Sequence, residues 1–211
     1  MLIQAFCSGP LDTNAYIVAC EKTKQCLLID APFESFKKIT SFLEKNGLSL
    51  EVIYLTHSHL DHIADIATFL KGYPGCGLWV HQEDAQNVID PGSDGIPLFF
   101  PIDPATPTGI LEEGQAHKVG DLEFTIIHTP GHSPGSVCFH FLQEGVLFSG
   151  DTLFKRSIGT LSLPTSEPER MWPSLEKLGM LPSATQIYPG HGNSTTIAQE
   201  PWIKNAQEIF G

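Results

Sequence analysis

"YLTHSHLDHIAD", residues 54–65, places three histidines and two aspartates directly after an apolar run. Histidine is an expensive way to fill a core, because both ring nitrogens need partners. Side chains alternate along an extended chain, so His57 and His59 are expected to point to one side. Asp61 and His62 follow where the next helix is expected to begin. There the acidic residue suits the positive helix N-terminus, or equally a cation. His57, His59, Asp61 and His62 thus put four potential ligands into six residues. Imidazole and carboxylate together suit zinc and non-haem iron.

Three later stretches repeat the design of strand, sharp turn and ligand. "IIHTPGH" delivers His132, "VLFSGD" delivers Asp151 and "IYPGH" delivers His191. In each, an apolar strand runs into glycine plus ligand, and glycine permits a tight turn and close backbone approach. Four strand ends offering ligands on one edge of a core point to a metal site.

The rest of the chain supplies elements to carry that site. "NAYIVAC" and "QCLLIDAP" read as buried strands, "EVIYLT" and "GLWVH" as shorter ones. Residues 33–47, "FESFKKITSFLEKNG", and 61–73, "DHIADIATFLKGY", have helical spacing, the first ending on the C-cap candidate Gly47. Hairpins are expected at Gly120–Asp121 and Glu144–Gly145. "EPERMWPSLEKLG" reads as a helix that Pro173 divides, "TQIYPGH" as a strand, and 194–210 as a terminal helix broken near Pro201. Residues 90–109, dense in proline and glycine, read as a long surface loop. Its adjacent Phe99 and Phe100 suit either a lid or a pin that holds the loop to the body.

Composition narrows the function classes. The 211 residues are enough for one domain spanning 1–211 with a proper core. Twelve basic against 24 acidic residues give a net charge of −12, which argues against nucleic acid or an anionic membrane as partner. A small-molecule substrate is expected, and bound cations can reverse the local sign for an anionic one. The N-terminus lacks the pattern of a signal peptide and no apolar run reaches about 18 residues, so a cytoplasmic location is expected. The five cysteines, with no C-x-x-C pair, are expected to be reduced core residues. His81, His117 and His140 are expected to be surface or structural, and His128 to make a structural hydrogen bond.

The combination of "THSHLDH" with the single His, Asp and His motifs downstream resembles the metallo-β-lactamase superfamily, over essentially the whole chain from "NAYIV" and "LLIDAP" to "YPGHG". The resemblance implies an α/β fold, a four-layer αβ/βα sandwich with a dinuclear metal centre between the sheets. It implies that His57, His59 and His132 hold one divalent ion, that Asp61, His62 and His191 hold the second, and that Asp151 bridges them. Zinc is the expected metal, with iron or manganese compatible. Asp30 in "LLIDAP" is similar to a family aspartate that braces the ligand loop. Two such ions ionise a water between them and polarise a carbonyl. Asp61 is then the catalytic residue that both ligates and orients the hydroxide.

"TPGHSPGSVCFHF", "LFSGDTLFKRSIG" and "YPGHGNSTTIAQE" are similar to the glyoxalase II branch, which hydrolyses hydroxyacyl-glutathione thioesters. This chain resembles a short form, without the basic C-terminal helical region that classical members use for glutathione. It also departs from the branch: Thr160 and Ser162 stand where many members have the basic and acidic residues of "SIGRTD", and Ala64 where glycine is common. Lys155 and Arg156 are the nearest basic candidates for an anionic substrate, or else ordinary loop charges. The same fold also hosts mononuclear-iron persulfide dioxygenases, the main alternative, and further off RNA-processing nucleases and non-catalytic binding proteins. The oligomeric state is not legible.

Overall fold

Central strands buried along their whole length call for four layers, and the computed structural model, which describes residues 1–211, contains them. Strand β2 (Thr13–Ala19) is buried on both faces. Its Ala15, Ile17 and Ala19 pack under helices, while Tyr16 and Val18 face the opposite sheet. A strand with two buried faces needs a layer on either side.

The first sheet runs in the order β1 (Leu2–Ser8), β2, β3 (Gln25–Ile29), β4 (Ser49–Tyr54), β5 (Gly77–His81), β6 (Gly109–Leu111). Its first three strands are antiparallel and β3 to β6 are parallel. The second is β12 (Thr195–Thr196), β11 (Gln186–Pro189), β10 (Val146–Gly150), β9 (Val137–Phe141), β8 (Leu122–His128), β7 (Ala116–Val119), antiparallel apart from β10 with β11. Between the sheets lies an aromatic-rich core that includes Tyr54, Phe124, Phe139, Phe141 and Phe148. Helices α1 (Phe36–Asn46) and α3 (Ile66–Gly72) cover the first sheet through Ile39, Leu43 and Phe69. Helix α5 (Pro168–Gly179) covers the second through Met171, Leu175 and Leu178.

Both expected hairpins form, joining β7 to β8 and β9 to β10. Four expectations are corrected. The helix expected over 61–73 is two helices, α2 (Leu60–Ile63) and α3, interrupted at Ala64–Asp65. The His62 carbonyl accepts the Ala31 N–H at 2.8 Å, and the Asp65 N–H donates to Ala31 O at 2.9 Å. The groups that would continue the helix are thus spent on the strand end beside it. The terminal helix is reduced to α6 (Ala206–Phe210): Thr195–Thr196 pair as β12, and two short 3-10 turns flank Pro201. Buried Glu200 draws the Thr195 hydroxyl and the Trp202 indole to itself, and Pro201 has no N–H to give a helix. Helix α5 passes through Pro173 unbroken, its Trp172, Ser174 and Leu175 buried on the sheet. Of the cysteines, all free, four are buried as expected, but Cys7 is exposed on edge strand β1 and lies outside the core.

Residues 90–108 form the expected irregular loop. Phe100 stacks on Phe33 with ring centroids 4.5 Å apart, whereas Phe99 stays 68 % exposed. One aromatic pins the loop; the other is free for a different use.

Candidate metal centre

All seven expected side chains arrive at one point between the sheets. His57 and His59 leave the end of β4 in extended chain, and His59 is the N-cap of α2, which carries Asp61 and His62 in its first turn. His132 follows β8, Asp151 follows β10 and His191 follows β11. Six of the seven are buried, and His191 is partly open. Two glycines make the convergence possible. Gly150 adopts φ 49° where its backbone passes Thr56, and a Cβ on Gly190 would overlap the Asp151 carboxylate.

Hydrogen bonds fix which nitrogen each ring offers. The Nδ1–H of His62 donates to Asp30 Oδ2 at 2.8 Å, that of His132 to Thr160 O at 2.8 Å, and that of His191 to Leu11 O at 3.0 Å. The Nδ1–H of His57 donates to Thr56 Oγ1 at 3.0 Å, whose own hydroxyl donates to Asp30 Oδ2 at 2.8 Å. In each ring the proton is held on the outer nitrogen by an oxygen, so Nε2 presents its lone pair inward. His59 joins through Nδ1, 2.8 Å from His132 Nε2.

Apart from that closer pair, the inner atoms sit at the spacing of a coordination shell. Bonds of about 2.0–2.2 Å to a tetrahedral ion put neighbouring ligand atoms roughly 3.3 Å apart. Asp61 Oδ2 lies 3.3 Å from His191 Nε2 and 3.4 Å from His62 Nε2. Asp151 Oδ1 lies 3.4 Å from His62 Nε2, and Asp151 Oδ2 lies 3.4 Å from His191 Nε2 and 3.5 Å from His132 Nε2. His57 Nε2, His62 Nε2 and Asp151 Oδ1 are buried with no hydrogen-bond partner. Buried polar atoms without partners are costly, and a divalent cation satisfies all three. The residues therefore fit a metal centre, falling into the close groups His57–His59–His132, His57–His62–Asp151 and Asp61–His62–His191.

Without a cation, the electrostatics divide the rings. Burial pushes His57 well down and His59 down to about 3, so both are neutral, as ligands must be. Burial also works against the charged His62, but Asp61, Asp30 and Asp151 outweigh it and hold the ring well above its ordinary range. His191 behaves alike: burial opposes the cation, yet Asp151 and Asp61 raise it to about 9. Asp61 is buried, which disfavours its ionised form, but His62, His191 and Thr13 keep its carboxyl well below the usual carboxylate range.

Two residues that the sequence reading missed organise the ligand loops. Asp84 Oδ2 accepts the Ser58 N–H at 2.7 Å and the Ser133 hydroxyl at 2.9 Å, and its Oδ1 accepts the Gly135 N–H at 2.7 Å. It ties the turn between His57 and His59 to the turn after His132. Asn87, on α4 (Ala85–Ile89), donates to Ser58 O at 2.6 Å, and its Oδ1 accepts the Gly92 and Asp94 N–H groups. Ser58 is thus gripped from both sides, and the same amide holds the 90–108 loop. Sequence did carry a signal: "HQEDAQN" follows β5 as a strand end running into polar residues, like the ligand motifs.

Other expectations resolve locally. Asp30 braces His62 and Thr56 as expected. Thr160 supports His132 through its main-chain carbonyl, so the departure from the branch pattern leaves that support intact, and its hydroxyl pairs with Ser162 at 2.9 Å. His117 bonds the Tyr54 hydroxyl, and His128 donates from Nε2 to Pro134 O at 2.9 Å. His140 is buried in β9. His81, Glu83 and His128 form another close group. The two imidazole rings of that group stack 4.0 Å apart, tilted by 20°, and Glu83 Oε2 lies 3.9 Å from His81 Nδ1 and 3.6 Å from His128 Nε2.

A pocket of about 280 Å³ opens onto the centre, lined by His59, Asp61, His132, Asp151 and His191, and walled by Leu11, Leu60, Ile96, Phe99, Thr160 and Leu163.

Two six-stranded sheets carrying a His/Asp centre at their edge define a metal-dependent enzyme of the metallo-hydrolase class. The chain belongs to the metallo-β-lactamase superfamily, whose sequence pattern matches residues 8–191. It is 32 % identical over 195 residues to a probable metallo-hydrolase, YqgX, of Bacillus subtilis, covering 91 % of this chain and 90 % of that one. It is 33 % identical over 150 residues to a hydroxyacylglutathione hydrolase of Francisella tularensis subsp. novicida, covering 71 % of this chain and 52 % of that protein. Among solved structures it is similar to the BLEG-1 B3 metallo-β-lactamase (TM-score 0.88, 31 % identity, 96 % of this chain and 99 % of that one). It is also similar to TTHA1623 in a di-iron-bound form (TM-score 0.82, 34 % identity, 93 % and 96 %). No helix is long and apolar enough to cross a membrane.

Proposed function

We propose that the protein is a thioester hydrolase of the glyoxalase II type. In this reading His57, His59 and His132 hold one divalent cation, Asp61, His62 and His191 a second, and Asp151 both. Zinc suits the nitrogen-and-carboxylate donor set, and iron or manganese can replace it. The observation that carries the reading is the set of four rings braced through Nδ1, with Nε2 turned inward.

Bound there, the cations supply ionised water at neutral pH and draw charge from a carbonyl oxygen. The chain supplies the geometry. Thr13 Oγ1 donates to Asp61 Oδ2 at 2.6 Å and fixes a carboxylate that stays ionised at the pocket floor. That carboxylate accepts a hydrogen bond from the attacking water and aims its oxygen at the acyl carbon. Leu11, Leu60, Ile96, Phe99 and Leu163 wall the approach to that carbon. The carbon–sulfur bond then breaks with its electron pair on sulfur, giving a carboxylic acid and a thiol. A thiolate leaves readily, which suits a pocket whose only titratable linings are the centre's own histidines and aspartates. The partial match to a hydroxyacylglutathione hydrolase supports a thioester as the substrate class.

Asp61→Ala is expected to lower thioester turnover at least about a hundredfold with an unchanged circular-dichroism spectrum. Full activity in that variant contradicts the reading. The persulfide dioxygenase alternative uses one iron, and the oriented Asp61–His62–His191 triad supports two cations instead. Oxygen uptake on glutathione persulfide, without thioester cleavage, would replace the proposal.

A further inference from the structure

Resting on the hydrolase reading, we infer that the substrate presents an uncharged, apolar group beside the scissile thioester, and that glutathione is not the preferred thiol carrier. The wall of the pocket carries the inference. Beyond the His and Asp side chains of the centre, it consists of Leu11, Leu60, Ile96, Phe99 and Leu163 with one hydroxyl, that of Thr160. Leu11 is 47 % and Phe99 68 % exposed, so two large apolar side chains stand in water at the mouth of a polar centre. Exposed apolar surface concentrated at a ligand site marks what the ligand covers.

Those side chains are held in place. Phe100 is stacked on Phe33, Asn87 fixes Gly92 and Asp94, and Asp94 Oδ1 accepts the Ile96 N–H at 2.9 Å. Ile96 and Phe99 therefore project from an anchored loop. At 280 Å³ the pocket lies near the small end of the range for ligand sites, roughly 300–1,000 Å³.

Charge points the same way. Glutathione carries two carboxylates at neutral pH, and no lysine or arginine lines the pocket. Lys155 and Arg156 are exposed outside it, and the Arg156 main chain is held by Glu200. A carboxylate set among Leu11, Ile96, Phe99 and Leu163 would have only the Thr160 hydroxyl to replace the water it loses.

The test compares S-butyl 2-hydroxypropanethioate, a neutral lactoyl ester of an alkyl thiol, with lactoylglutathione, on the metal-loaded full chain, by release of thiol. The neutral ester is expected to have the higher kcat/KM, by tenfold or more. Phe99→Ala should cut its kcat/KM about tenfold, and Phe99→Lys should shift the ratio toward lactoylglutathione. A preference of the unmodified protein for lactoylglutathione overturns the inference. Binding separates this from failure of the hydrolase reading. Butyl phenyl sulfide and S-methylglutathione, which cannot be hydrolysed, are titrated calorimetrically. Tighter binding of the sulfide without turnover of either ester would sink the hydrolase reading and keep the inference. Tighter binding of S-methylglutathione, or binding of neither, overturns the inference whatever the turnover.

Discussion

Asp84→Asn is the perturbation that most sharply separates positioning from mere packing. Asp84 is buried and accepts from two main-chain N–H groups, Gly135 on Oδ1 and Ser58 on Oδ2, with the Ser133 hydroxyl also on Oδ2. An amide has one oxygen, so one N–H must face its NH₂. The less costly orientation keeps Ser58 and sacrifices Gly135, because the Oδ2 position serves two donors. Stranding one buried donor costs about 1–3 kcal/mol. At roughly 2–4 °C per kcal/mol for a chain of this size, the midpoint should fall by about 2–12 °C. Because Asp84 joins the loops carrying His57, His59 and His132, affinity for the cation at that triad should also fall, by about 10- to 100-fold. Thermal unfolding of the metal-free protein gives the first number, and chelator competition on the loaded protein the second. A lowered midpoint with unchanged metal affinity would refute the positioning role, and no change in either would refute the hydrogen-bond reading altogether.

Two other predictions follow from the geometry. Gly190→Ala drives a methyl group into the Asp151 carboxylate and against His62, so it should abolish binding of the second cation while the sheets persist by circular dichroism; two tightly bound ions in that variant would contradict the packing. His191, raised to about 9 in the metal-free protein, is mostly protonated at neutral pH and must lose that proton to ligate. Zinc uptake at pH 7 should therefore release protons, measurable as a buffer-dependent enthalpy, and affinity should climb from pH 7 to pH 9; a flat affinity over that span would contradict the assignment.

The candidate ligands are legible in sequence because each is tied to a local pattern, an apolar strand ending in glycine or threonine and then a His or Asp. His132, Asp151 and His191 needed no long-range information to be picked out. The four layers are implied by the resemblance that "THSHLDH" and its downstream motifs carry, and the burial of β2 on both faces agrees with it. What escaped was set by contacts between distant parts of the chain. The break at Ala64–Asp65 exists because Ala31 takes the His62 carbonyl, and no periodicity in 61–73 encodes that. Asp84 and Asn87 bond main-chain atoms of Ser58 and Gly135, which any residue type could offer. Thr160 shows the converse. Its side chain differs from the branch pattern, but the group that steadies His132 is a carbonyl common to all residues. Phe99 and Phe100 were visible as a pair, and only the packing assigned one to the body and the other to the pocket.

Elemental analysis of the purified chain, by plasma mass spectrometry after dialysis against metal-free buffer, bears most directly on the central claim. Seven inward-facing donors predict close to two divalent ions per chain, restored to two when the stripped protein is reloaded with zinc. A stripped protein that takes up no more than one ion, or none, would contradict the two-cation centre.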